Sequence, residues 1–102
     1  MVLVTGTVRL RPEARDAFAG SARTVVAATL EEPGCHAYGF AFDVGDPDLV
    51  RVHEEWEDAE ALRSHLDTPH VAVFSAALGP LVASPPQLTR WVGAEARPGL
   101  TD

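Results

Sequence analysis

Hydrophobic and polar positions alternate in four segments of the chain. This period of two predicts strands over residues 2–10 and 35–43, over "LVRVHEEW" up to Trp56, and over "QLTRWVG" near the end. Between the first two strands, apolar residues recur at helical spacing from Phe18 to Thr29. This spacing predicts a first helix that runs to about Leu30, with Pro12 in its first turn and Glu13 beside it, at the positive end of the helix dipole.

Capping residues predict two short helices before the last strand. Asp58 is a typical N-cap and precedes a helix from residue 59 to about 66. Thr68 followed by Pro69 has the pattern of a second N-cap with proline at the first helical position. The helix that they begin is expected to end at Gly79 and Pro80.

The resulting order, β-α-β-β-α-β, predicts an α+β protein with a ferredoxin-like fold. In this fold a four-stranded antiparallel sheet carries its helices on one face. Strand two is apolar on both faces and strand one nearly so. We therefore expect a second copy to cover the open sheet face in an isologous homodimer. Residues 1–94 are expected to form one domain and residues 95–102 a flexible tail.

Composition narrows the range of partners. The 102 residues carry a net charge of −7, and all eight basic residues are arginines scattered along the chain. Without a basic stripe, nucleic acid and anionic membranes are not expected partners. The N-terminal segment has no basic start, and no apolar run is long enough to span a bilayer, so a cytoplasmic protein is expected.

The strongest candidate site is an apolar pocket between the sheet and the later helices. Tyr38, Phe40, Val52, Glu54 and Trp56 are expected on one sheet face, beneath helices that bear His65, His70 and Phe74. A mostly apolar pocket with a few polar groups is the usual form of a small-molecule site. Each residue also has an ordinary structural interpretation. Trp56 could be core, His70 could bond locally, and Tyr38 could pair with Glu54 across strands.

No metal site and no reactive cysteine are predicted. His65 and His70 are five residues apart, with Pro69 between them, whereas histidines on one helix face are three or four apart. The nearby carboxylates Glu54, Glu55 and Asp67 add no metal-ligand spacing. Cys35, the one cysteine, lies among small residues and is expected to be a packing thiol.

Two stretches of the chain resemble the antibiotic biosynthesis monooxygenase family, in its small quinol-monooxygenase-like branch. They are "EEPGCHAY" and "DPDLVRVHEEWEDAEALRSHLDTPHVAVF". The resemblance implies a dimeric α+β barrel and places Trp56 and His65 in a substrate pocket. Haem-degrading and polyketide-oxidising relatives depend on a pocket asparagine, and this chain contains no asparagine and no lysine. The family pattern of haem degraders is therefore not carried over.

Three functions are open at this point. The first is a cofactor-independent monooxygenase that oxidises a small aromatic quinol or phenol with O₂, because no Gly-rich phosphate loop or metal set supplies a cofactor. His65 would be the base and Trp56, Phe74, Phe18 and Val52 the ring-binding walls, with Tyr38 or His70 contacting the oxyanion and Glu54 orienting a histidine. The alternatives are an isomerase that enolises a small carbonyl compound, and a ligand-binding dimeric barrel without turnover.

Overall fold

A computed structural model describes residues 1–102 as a four-stranded sheet with three α-helices. The elements are β1 (Val2–Arg9), α1 (Arg15–Thr29), β2 (Cys35–Asp43), β3 (Asp46–Trp56), α2 (Ala59–Leu66), α3 (Pro69–Leu78), a 3₁₀ turn (Gly79–Leu81) and β4 (Gln87–Val92). The strand order is β2-β3-β1-β4, and all neighbouring strands are antiparallel. The predicted ferredoxin-like α+β fold is confirmed.

The helices bury one face of this sheet. Val4 and Val8 of β1 and Val50 and Val52 of β3 are buried on that face. From α1, residues at helical spacing complete the core, among them Phe18, Ala22 and Val25. The strand residues that recur with a period of two therefore pack against the helix residues that recur with a period of 3.6.

The start of α1 differs from the prediction. The helix begins at Arg15, and Glu13 has a φ of 71°, in the left-handed region. Arg11 is held by the segment after α3, since its backbone N–H donates to the Leu81 carbonyl at 2.8 Å and its Nε donates to the Val82 carbonyl at 3.1 Å. These tertiary bonds override the helix-start signal of Pro12, so the prediction that Pro12 and Glu13 lie in the first turn is wrong.

A β-bulge near the start of β2 changes which side chains face the helices. Cys35 pairs with Trp56 and Ala37 with Glu55, which leaves His36 as the extra residue. Cys35 therefore lies against the buried Trp56 cluster, while His36 is exposed and contacts Glu57 at 2.7 Å. Unbroken alternation over residues 35–43 predicts that His36 shares a face with Tyr38, and this prediction is wrong because alternation does not continue through a bulge.

Beyond the bulge, the β2–β3 hairpin has the predicted register. Tyr38 pairs with Glu54 and Phe40 with Val52, so these residues and Trp56 share the helix-covered face as expected. The connection is shorter than predicted. β3 begins at Asp46, and the two strands are joined by residues 44–45 alone.

The opposite sheet face has no helix over it. Ala37, Gly39 and Ala41 of β2 lie there, but β3 contributes the charged or polar residues Arg51, His53 and Glu55. The sequence argument for a second copy considered only β1 and β2, and homodimerisation through this face stays a prediction. No helix of the chain is long and apolar enough to cross a membrane.

Gly34 holds the α1–β2 connection against α2. Its φ of 82° is unfavourable for other residues, and an added Cβ would lie 2.7 Å from the Cβ of Ala61. The Gly34 carbonyl also accepts a hydrogen bond from the backbone N–H of Glu57 at 2.8 Å. This close approach brings Glu32, two residues earlier, next to the helices that carry the histidines.

Candidate active site

The two candidate histidines are fixed by the link between α2 and α3. Thr68 caps α3 by accepting a hydrogen bond from the backbone N–H of Val71 at 3.4 Å. Its hydroxyl also donates to the carbonyl of His65 at 2.7 Å. With Pro69 at the first helical position, this turn ends one helix and starts the next without a flexible loop. His65 at the end of α2 and His70 at the start of α3 are thereby brought to the same place.

Glu32 joins the two histidines through a single carboxylate oxygen. Its Oε2 lies 2.8 Å from Nδ1 of His65 and 2.7 Å from Nε2 of His70. A carboxylate accepts hydrogen bonds, so in their neutral forms His65 carries its proton on Nδ1 and His70 on Nε2. Nε2 of His65 is then left with a free lone pair. The side chains of His65, Glu32 and His70 are 4%, 12% and 23% exposed, so the cluster opens at His70.

Glu54 has a different role from the one predicted. Its Oε1 accepts a hydrogen bond from the indole Nε1 of Trp56 at 2.9 Å, and it makes no hydrogen bond to either histidine. The expectation that Glu54 orients a histidine is therefore wrong, and Glu32 has that role. Sequence reasoning missed Glu32 because it is 33 and 38 residues from its partners. The one available signal was its place beside the Pro33–Gly34 turn.

Two aromatic rings pack against His65. Trp56 is fully buried, and its ring centroid lies 4.7 Å from that of His65. Tyr38 approaches from β2, with its ring centroid 5.2 Å from that of His65. The imidazole therefore packs against two neighbouring aromatic rings on a largely apolar face, where a planar aromatic substrate would also be favoured.

The remaining candidates continue this face towards α1. Phe74 of α3 lies 5.4 Å from Phe40 and 6.2 Å from Phe18 between ring centroids, and Val52 is buried beneath them. The structure thus brings all eight predicted site residues to the helix-covered sheet face. They are Phe18, Tyr38, Val52, Glu54, Trp56, His65, His70 and Phe74.

Burial shifts the ionisation of three groups near the cluster. It raises the pKa of the Glu54 carboxyl, although the hydrogen bond from Trp56 works in the opposite direction. It also raises the pKa of the Tyr38 hydroxyl, with further contributions from Glu54 and Glu32, so this group is a neutral donor at neutral pH. Burial and the same two carboxylates raise the pKa of Cys35, which disfavours the nucleophilic thiolate.

Two clefts lie beside the predicted pocket without reaching His65 or Trp56. One, of about 370 Å³, lies between α1 and α3 and is lined by His70, Phe74 and neighbouring residues. The other, of about 300 Å³, lies between α1 and β2 and is lined by Phe18 and Phe40 among others. Neither cleft is lined by His65 or Trp56, so the protein's own side chains fill the centre of the predicted pocket.

The cluster also has the composition of a metal-ligand set. The nearest ligand atoms of Glu32, His65 and His70 all lie within 4.8 Å of one another. The predicted absence of a metal site rested on the spacing of carboxylates close to the histidines along the chain. Glu32 comes from another element, so that spacing does not exclude a metal ion at this cluster.

Comparisons with known proteins agree with this fold. Residues 1–77 match the antibiotic biosynthesis monooxygenase family. The Escherichia coli protein named "Probable quinol monooxygenase YgiN" is 33% identical over 88 residues, which cover 76% of this chain and 85% of that protein. The structure of PA3566 from Pseudomonas aeruginosa has a TM-score of 0.82 at 26% identity and covers 92% of this chain and 94% of its own. Rv0793 from Mycobacterium tuberculosis, at 24% identity, has the same fold with a TM-score of 0.85 and covers 93% and 96% of the two chains. The chain therefore belongs to the antibiotic biosynthesis monooxygenase family.

Proposed function

We propose that this chain is a cofactor-independent monooxygenase that oxidises a small aromatic quinol or phenol with O₂. The observation that carries the proposal is the state of His65. Its Nδ1 is bound to a largely buried carboxylate, and its Nε2 is free, on a face formed by aromatic rings. The similarity to the Escherichia coli protein named as a quinol monooxygenase supports a quinol as the substrate class.

In the proposed reaction, Nε2 of His65 removes a proton from the phenolic hydroxyl. The resulting anion is electron-rich enough to pass one electron to O₂, and the radical pair then forms a carbon–oxygen bond. For a quinol, one oxygen atom enters the ring and the other leaves as water. The quinol supplies all the electrons for this reduction and becomes a hydroxyquinone, so no other reductant is required.

Other residues of the cluster position the base and the substrate. Glu32 fixes the tautomer and orientation of His65 and stabilises the imidazolium that forms when His65 takes the proton. Trp56 and Phe74 provide ring surfaces, and the neutral Tyr38 hydroxyl donates to the developing oxyanion. Phe74 lines the cleft between α1 and α3 and also contacts Phe18 and Phe40, so rotation of its side chain would open a path inward from that cleft.

The test is oxygen uptake with a panel of quinols and phenols, for the wild type, His65→Ala and His36→Ala. General-base assistance is typically worth a factor of about 10²–10⁴, so uptake should fall by about that factor in His65→Ala. His36 also contacts a glutamate at 2.7 Å, but it is exposed and lies outside the cluster, so His36→Ala should keep the wild-type rate. Circular dichroism of each variant checks that it is folded.

Isotope labelling identifies the reaction type. With ¹⁸O₂, a monooxygenase incorporates one labelled atom into the quinone product. Unlabelled product with stoichiometric hydrogen peroxide would indicate an oxidase instead. Catalysed uptake that is unchanged in His65→Ala would remove His65 as the base, and no catalysed uptake with any of the compounds would overturn the proposal for this substrate class.

A further inference from the structure

We propose that Glu32, His65 and His70 form a binding site for a divalent transition-metal ion such as Zn²⁺, and that the ion switches off the base. Two imidazoles and one carboxylate are the donor set found in many zinc and non-haem iron sites. Each comes from a different element, namely the α1–β2 connection, α2 and α3. The switching part of the proposal rests on the function proposed above, whereas the binding part does not.

The geometry requires little movement to accept an ion. With ligand bonds of about 2.0–2.2 Å, the donor atoms around a tetrahedral zinc lie about 3.4 Å from one another. The two nitrogen–oxygen distances here are 2.8 and 2.7 Å, and all three ligand atoms lie within 4.8 Å of one another. The contacts to Glu32 must therefore widen by about 0.6–0.7 Å, and the two imidazole nitrogens must reach the same spacing from each other. Three protein ligands leave a fourth position open for water or another small ligand.

The surroundings favour a cation. Glu54 is a second carboxylate near His65, and the chain has a net charge of −7. The set is also accessible, because the cleft between α1 and α3 is lined by His70, the most exposed of the three ligands. An ion can therefore reach the set through this cleft.

Metal binding and base function exclude each other at His65. A neutral imidazole carries one N–H, and in the metal-free cluster this proton lies on Nδ1, facing Glu32. An ion bound at Nδ1 needs that lone pair, so the proton moves to Nε2. Nε2 is then a donor and can no longer accept a proton from substrate. The ion also occupies Glu32, which otherwise stabilises the imidazolium.

Isothermal titration of tag-free protein with Zn²⁺ tests the binding part, with Co²⁺ absorption as a spectroscopic check of the coordination geometry. We expect one ion per chain, and affinity lower by about tenfold or more in Glu32→Gln and in His70→Ala. Glu57→Gln is the matched control, since the Glu57 carboxylate is hydrogen-bonded only to the exposed His36 and its removal should leave binding unchanged. His70 is the most exposed ligand, so His70→Ala remains informative if Glu32→Gln fails to fold.

The proposal is overturned if the wild type binds no zinc, or if both ligand variants bind it as the wild type does. The second result would place the ion at an exposed histidine. Failure here is distinct from failure of the proposed function, because the titration needs no substrate. If the protein binds zinc and oxidises a quinol, added zinc should abolish oxygen uptake in the wild type, and a chelator should restore it. Oxygen uptake that persists with zinc fully bound would overturn the switch.

Discussion

The two faces of the sheet carry similar side chains in opposite surroundings. On the helix-covered face, Trp56 lies beside His65, whose Nδ1 is 2.8 Å from Glu32. The uncovered face has Trp91, together with a contact of 2.7 Å between His53 and Glu55. Trp56 is fully buried and Trp91 is 54% exposed. Residue types and distances alone therefore do not distinguish the site from the surface.

Access to water explains the difference between these two faces. An exposed ion pair is screened by solvent and contributes about 0–1 kcal/mol to stability. A buried polar group that loses its partner costs about 1–3 kcal/mol, because water cannot replace the lost bond. The helix-covered cluster is also held in one tautomer and orientation by its surroundings, whereas the surface pair can rearrange freely. Burial beneath the helices therefore gives the cluster of Glu32, His65 and His70 a fixed geometry that the exposed pair of His53 and Glu55 lacks.

The largest expected difference in unfolding free energy is between alanine variants of the two tryptophans. Trp56→Ala should lower the free energy of unfolding by about 3–5 kcal/mol, because it leaves a cavity at the centre of the buried cluster. Trp91→Ala should cost less than about 1 kcal/mol in the protomer, as expected for a surface position. Urea unfolding at one fixed protein concentration measures both. If the two variants lost similar amounts of unfolding free energy at a low protein concentration, the expected difference between the two sheet faces would be contradicted.

A smaller difference in unfolding free energy is expected between alanine variants of Glu32 and Glu55. Glu32→Ala should destabilise the protein by about 1–3 kcal/mol, since it leaves two imidazole N–H groups without their acceptor. Glu55→Ala removes a partner from the half-exposed His53 and should cost less than about 1 kcal/mol. Thermal and urea unfolding report both values. A Glu55→Ala loss that grows with protein concentration would indicate that a second copy buries this pair.

Charge on the uncovered face tests the predicted homodimer directly. If two copies associate through this face, Trp91→Glu places a carboxylate in the interface and should weaken association by about tenfold or more. Sedimentation equilibrium gives the dissociation constants of the variant and the wild type. Leu100→Glu, at a fully exposed position outside the sheet, is the control for the one added negative charge. A monomeric wild type, or a dimer unaffected by Trp91→Glu, would contradict this arrangement.

The smallest expected effect is a pH dependence on the covered face. Because the pKa of Glu54 is raised in the folded protein, the unfolded chain releases this proton at lower pH, and stability is lost as the pH rises through the folded pKa. Glu54→Gln removes that loss and keeps an acceptor for the Trp56 indole. The variant should therefore gain stability relative to the wild type as the pH rises from about 4 to 8. A difference in unfolding free energy that is constant with pH would contradict the raised pKa.

Alternation and capping were sufficient to predict the fold, because both signals are local. The register of Tyr38 with Glu54 also followed from side chains sharing a face. The bulge at His36 and the backbone of Glu13 could not be predicted, since each depends on contacts with distant elements. Tertiary bonds from Arg11 to the segment after α3 outweighed the local helix signal of Pro12.

The patterns predicted which residues share the helix-covered face, but not how those residues are hydrogen-bonded to one another. Side-chain periodicity put His65, Trp56 and Glu54 on one face, but it gave no way to choose which carboxylate meets the histidines. Glu32 meets the histidines because the backbone around Gly34 brings its connection against α2, whereas Glu54 is bound to Trp56. A single sequence contains no period that links positions 32, 65 and 70.

The dependence of the cluster on Gly34 has a consequence for how the protein is mapped by mutagenesis. An alanine scan reports on a position by deleting its side chain, and Gly34 has none to delete. The informative change is the reverse one, because a single methyl group at Gly34 would meet Ala61 at 2.7 Å and push the chain that carries Glu32 away from α2. Mutant libraries that place larger residues at glycines would therefore identify a determinant of this site that libraries of side-chain truncations miss.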